Sequence, residues 1–245
     1  MATAIHDGHV VRDEVLRHMA LDEAGRLREE DPFTGGWTVV APTRVVGTRS
    51  RFEVDLNRTR NTAVYRTPED AWGLEVWKGE LPEDVVTRSL RGYDAFYREL
   101  EELYRELAKI HGKFLVLDLH TYNHRRDGPD GVPADPDGNP QINVGTGTMD
   151  DRSRFAPLID RFLDDLTSFE FPGGRLDVRE NVRFRGGACA AWTHRAFPEA
   201  ACVLSIEVKK FFMDEWTGEA DEVLLDAIGE ALSYAVPGAV EELER

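Results

Sequence analysis

A helical pattern starting at Pro82 runs to about His111 before Gly112 passes the chain directly into an apolar run, residues 114–119. Val85, Leu90, Tyr93, Phe96, Tyr97, Leu100, Leu103, Tyr104 and Leu107 recur near the spacing of one helix face. Pro82 suits a first helical turn, with Glu83 and Asp84 at the positive end of the helix dipole. Residues 74–78 (LEVWK) are a strand candidate before this helix, so the order is strand, helix, strand. That order marks an α/β sheet.

The rest of the chain continues the alternation. Residues 2–6 form a short strand ending at a histidine, 11–29 a helix, 31–36 (DPFTGG) a loop and 51–58 (RFEVDLNR) a strand. Residues 127–140 are turn formers throughout and form a long loop, after which 141–145 return as a strand. A helix at 151–169, strands near 175–185 and 201–208, and helices near 219–235 and 238–244 complete the chain. No linker or internal repeat interrupts it, which predicts one α/β domain over residues 1–245.

Composition narrows the function. A formal charge of −16 opposes nucleic-acid phosphate. No apolar run of bilayer length is read from the sequence, and the N-terminus lacks the pattern of a signal peptide, so the expected setting is cytoplasmic with no membrane partner. Cys189 and Cys202 lie in apolar surroundings and read as buried free thiols. The basic side is 25 Arg against five Lys, and the acidity fits either genome composition or a high-salt habitat.

Four strands end in groups able to do chemistry: AIHDGH, FEVDLNR, VLDLHTYNH and LSIEVKK. Ligands of open α/β sheets bind outside the carboxyl ends of strands. His6 and His9 lie three apart around Gly8, a spacing that lets both reach one ion, and His120 ends a separate strand. Zinc in a hydrolytic site takes three such protein ligands and leaves a position for water. Asp118 shares a strand face with His120 and either fixes its tautomer or bonds loop amides. Glu207 in an apolar strand is either a general base with a raised pKa or a partner of Lys209 or Lys210. Arg58 and Asn57 offer a fork and an amide to a carboxylate, against the alternative of an ion pair within the chain. His124 lies in the loop, nearer substrate than metal, and His194 either approaches a site or caps a helix. His18 and His111 fall in or at the ends of helices and read as solvated.

FEVDLNR, LDLHTYNHRR, RFRGGA and SIEVKKFFMDEW together resemble the N-formylglutamate amidohydrolase family, from AIHDGH to about Gly218. That family is similar in turn to zinc carboxypeptidases of the carboxypeptidase A type. The resemblance implies a three-layer α/β sandwich with a mixed, mostly parallel central sheet. It implies zinc, or another divalent metal, on His6, His9 and His120, with Asp7 an alternative to His9. It places Asn57 and Arg58 on the pair that grips a substrate carboxylate, and Glu207 on the general base. The implied reaction is hydrolysis of an N-formyl or N-acyl amino acid, with His194 or an arginine near the oxyanion and Arg125 and Arg126 as further anion binders. A larger peptide-like amide is the rival substrate. A catalytically idle relative that binds a small anion or a partner protein is the rival outside enzymes.

Overall fold

The computed structural model describes residues 1–245. Its elements are β1 (Ala2–Ala4), α1 (Asp13–Leu16), α2 (Glu23–Glu29), α3 (Thr34–Trp37), β2 (Arg44–Val46), α4 (Glu83–His111), β3 (Phe114–Tyr122), β4 (Ile142–Gly145), α5 (Ala156–Ser168), β5 (Val178–Glu180), α6 (Ala188–Ala196), β6 (Ala201–Lys209) and α7 (Glu222–Glu244). The strands form one sheet in the order β2-β1-β3-β6-β4-β5. Neighbours are parallel except β4 and β6, which run antiparallel.

All nine residues of β3 are buried, as a central strand covered on both faces requires. Its side chains alternate between two cores. Leu115, Leu117 and Leu119 pack with Ile159 and Phe162 of α5 and Ile228 and Leu232 of α7. Phe114 and Val116 face the other way, toward Tyr97, Leu100 and Tyr104 of α4 and Cys189 of α6. The sheet is therefore the middle of three layers. The long helix ends where the sequence reads it: Gly112 takes a φ of +74°, a conformation glycine reaches without a Cβ clash.

Several local expectations give way to packing. Residues 51–58 are turns, not a strand; the amides of Glu53 and Val54 both donate to the Ser50 carbonyl. Residues 74–78 keep only a single bridge, between Trp77 and Met19. The segment 11–29 splits into α1 and α2, and β2, short and partly exposed, carries too little pattern to be read. The last two expected helices are one, because α7 runs through Pro237. Gly238 there lies so close to Arg161 and Asp165 of α5 that a Cβ would meet the Asp165 carboxylate at 2.3 Å. By length and composition α7 could cross a membrane, against the expectation of no such run. In the fold its residues Ala227, Ile228, Ala231, Leu232, Ala235 and Ala239 are buried in the core.

Candidate active site

Because β1, β3 and β6 are parallel, their carboxyl ends share one edge of the sheet. His6 follows β1, while His120 and Glu207 lie near the ends of β3 and β6 and are register partners. Asp31 reaches the same place from the segment between α2 and α3, and its backbone N–H donates to the His6 carbonyl at 3.0 Å. Asp31 Oδ2 lies 3.3 Å from His6 Nδ1 and 2.9 Å from His120 Nδ1. The two imidazoles stand edge to face with centroids 5.0 Å apart. One ligand atom from each of His6, Asp31 and His120 falls within 4.8 Å of the others, and all three side chains are buried.

A second layer of carboxylates holds the rings from behind. His6 Nε2 is 2.7 Å from Asp55 Oδ1. His120 Nε2 is 3.1 Å from Asp118 Oδ2, a charge contact rather than an aligned hydrogen bond, and Thr3 donates to the other Asp118 oxygen. Each imidazole thus turns Nδ1 toward the shared centre and Nε2 toward an acid. The group lies in a cleft of about 220 Å³ that Glu207, Asn57, Arg51, Arg126, Arg185 and Lys210 also line.

The family model for N-formylglutamate amidohydrolase matches residues 1–213. The chain belongs to the N-formylglutamate amidohydrolase family. Solved structures share its fold. The N-formylglutamate amidohydrolase from Ralstonia eutropha JMP134 aligns with a TM-score of 0.72 and 16% identity, over 99% of this chain and 92% of that one. A gene product of Agrobacterium tumefaciens aligns with a TM-score of 0.68 and 18% identity, over 100% and 91%. No curated protein matches the chain.

Within this amidohydrolase-family fold the electrostatics of the cleft are strongly coupled. Burial pushes the Asp31 carboxyl up, but His120 and His6 outweigh it and hold the group below the usual carboxylate range. Burial acts the same way on Asp55, where Arg51 and His6 prevail. For His120 burial disfavours the charged ring, and Asp118 and Asp31 overcome it, raising its pKa. Glu207 has no such rescue. Burial pushes it up to about 7; His120 opposes, while Asp31 and Asp118 add to the rise. Neither neighbouring lysine neutralises it. Lys209 Nζ donates to the Asn139 carbonyl, and Lys210 Nζ to the carbonyls of Arg28 and Glu30. Burial pushes Lys210 down to about 8. Its two bonds tie the exit of β6 to the segment that delivers Asp31.

The structure brings His6, His120, Glu207, Asn57 and Asp118 together, and places six other expected residues elsewhere. His9 is not at the centre: its Nδ1 meets Glu30 and its ring is partly exposed. The reason is Gly8, which packs so tightly on Thr48 that a Cβ would sit 2.2 Å from that backbone, sending the chain away from the cleft. Asp7, the alternative, accepts from the Gly35 amide and lines a different groove. Arg58 is outside the cleft because DLNR is a turn: the Asn57 amide donates to Asp55 Oδ1, and Arg58 turns to the Asp70 carbonyl and the faces of Tyr65 and Trp72. His124 and Arg125 are drawn off by Glu215, which accepts both of their backbone amides. His194 lies in another cavity, its Nε2 accepting from the Val203 amide and its Nδ1 2.9 Å from Thr148 Oγ1.

Asp31 is the residue that strand-end reasoning misses. It opens DPFTGG, a segment read only as a loop, and the one local sign was an acid beside proline in an otherwise uncharged turn. Arg51 escaped for a similar reason, since its place at the cleft depends on Asp55 and Tyr65, which its guanidinium contacts.

Proposed function

We propose that the protein is a divalent-metal-dependent hydrolase, most simply a zinc enzyme, that cleaves the amide bond of an N-formyl or N-acyl amino acid. The observation that carries this reading is the convergence of His6, Asp31 and His120 beside Glu207 at one sheet edge. The donor set fits such an ion: two imidazoles and a carboxylate, each ring backed by a second acid, as in hydrolytic zinc sites with an open position. His6, Asp31 and His120 would hold the metal, which when bound supplies Lewis acidity toward a carbonyl and a water of lowered pKa.

The other parts belong to the chain. Glu207, whose pKa burial raises to about 7, in its ionised form takes a proton at its carboxylate from a water in the cleft and returns it to the leaving nitrogen. Asn57 Oδ1 accepts from the Cys189 amide, which turns Nδ2 toward the cleft, 3.4 Å from His120 Nε2. From there the amide donates to an oxygen of the reacting carbonyl. The cleft's size, about 220 Å³, favours a small acyl amino acid over a peptide.

The test is a substrate panel of N-formyl, N-acetyl and dipeptidyl amino acids, run before and after chelation and zinc addition. Hydrolysis of formyl or acyl amino acids that chelation abolishes and zinc restores is the expected result. Purified protein that holds no divalent ion and gains no activity from one would sink the proposal.

A further inference from the structure

The carboxylate of the proposed substrate needs a cation, and the whole-chain charge of −16 makes a local one necessary. Four basic side chains line the cleft. Arg51 is committed to Asp55, Tyr65 and the Glu29 carbonyl. Lys210 is committed to two backbone carbonyls. Arg126 reaches Glu29 at 3.4 Å. Arg185 alone lines the cleft with no side-chain hydrogen bond or ion pair to the protein.

Its loop is nevertheless rigidly placed. Asn143 Oδ1 accepts the amides of Arg183 and Phe184, and its Nδ2 donates to the Phe184 carbonyl. The Arg185 carbonyl accepts from the Gly147 amide at 2.8 Å. The Arg185 side chain lies against Gly147, where a Cβ would meet its Nε at 2.8 Å. On the other side Gly187 abuts Asn57, where a Cβ would fall 2.2 Å from Oδ1. Asn143 is also the register partner of Glu207 across β4 and β6. One asparagine therefore sets the unpaired arginine's loop at a fixed offset from the base, on the side away from His120.

We infer that Arg185 is the specificity-determining residue of the cleft, binding a substrate carboxylate while the scissile amide lies toward Glu207 and His120. This rests on the amidohydrolase reading above. The guanidinium fork matches a carboxylate in two parallel hydrogen bonds, and its rigid loop lowers the cost of ordering it. A diacid such as an N-acyl glutamate offers two carboxylates, and its two monoamides separate them.

The experiment compares N-formyl-L-glutamate, N-formyl-L-glutamine and N-formyl-L-isoglutamine on the metal-loaded wild type, Arg185→Gln and Arg185→Lys. Arg185→Gln is expected to raise KM for the diacid by about 10- to 100-fold. The change in kcat is small, and the monoamide lacking the recognised carboxylate is nearly unaffected. Arg185→Lys restores part of the preference. An equal loss on all three substrates, or no loss on any, overturns the role. Turnover is not required to read the contact: binding of N-formyl-L-glutamate to Glu207→Gln protein, with and without Arg185→Gln, is followed by calorimetry. Should the wild type hydrolyse none of the substrates while Kd still rises by the same factor, the amidohydrolase reading fails and the anion contact stands. Equal Kd values, or no binding in either background, overturn the contact itself.

Discussion

His120 and Glu207 are register partners on adjacent parallel strands, so an imidazole of the candidate metal centre and the candidate base are presented side by side by the sheet itself. Neighbouring strands lie about 4.8 Å apart, a spacing that backbone hydrogen bonding enforces. The relative position of these two groups is thus as rigid as the middle of the fold, while Asp31 and the anion-binding wall come from loops.

Glu207→Gln keeps the shape and removes the base. The expected outcome is a loss in kcat of about 10²–10⁴-fold with KM little changed. The base works ionised, so kcat/KM of the wild type falls as pH drops below its pKa. That pKa is raised to about 7 in the fold without an ion, and a nearby cation lowers it from that value. The acid limb owed to this group disappears in the variant. Steady-state kinetics from pH 5 to about 9 decide the matter, and a variant with wild-type kcat would remove Glu207 from the chemistry.

Asp31 and His9 make opposite predictions for the metal. Asp31 Oδ2 contacts both imidazoles, while His9 is turned to Glu30. Asp31→Asn is expected to abolish stoichiometric metal retention, and His9→Ala to leave it intact. Asp118→Asn, which loosens the ring of His120 without touching the centre, lowers affinity by about 10- to 100-fold. Elemental analysis and competition with a chromophoric chelator measure all three. Metal loss in His9→Ala with retention in Asp31→Asn would reverse the ligand assignment.

His194 predicts a pH-dependent stability. Burial pushes its pKa down to about 4, from an ordinary value near 6.5. Above pH 6.5 the ring is neutral in both folded and unfolded chains, so its contribution is fully present there. As pH falls from 6.5 toward 4 the unfolded chain takes up a proton that the fold refuses, and stability declines. The full loss is on the order of 3 kcal/mol. His194→Gln is less stable at neutral pH, since the Val203 amide loses its fitted acceptor, but its acid slope over this range is shallower. Urea unfolding at several pH values reads the slope, and identical slopes in the two proteins would contradict the assignment.

How much was legible differs between residues. α4, β3 and β6 could be read because their apolar spacing is a local property that matches what each face buries. RFEVDLNR misled because alternation also occurs in a turn stapled by its own acids, as the Asp55 contact to the Asn57 amide shows. Pro237 misled because proline's local preference does not report the tertiary packing, and α7 continues through it with Gly238 close against α5.

The sequence by itself determined the α/β alternation and put His6, His120 and Glu207 at strand ends, since strand direction and burial follow from neighbouring residues. Only the tertiary structure decided that Asp31, 25 residues from His6 and 89 from His120, lies against both imidazoles while His9 turns to Glu30. A loop's direction depends on distant contacts, here Gly8 against Thr48 and Lys210 on the carbonyls of Arg28 and Glu30, and no local pattern encodes which distant partner a turn will meet.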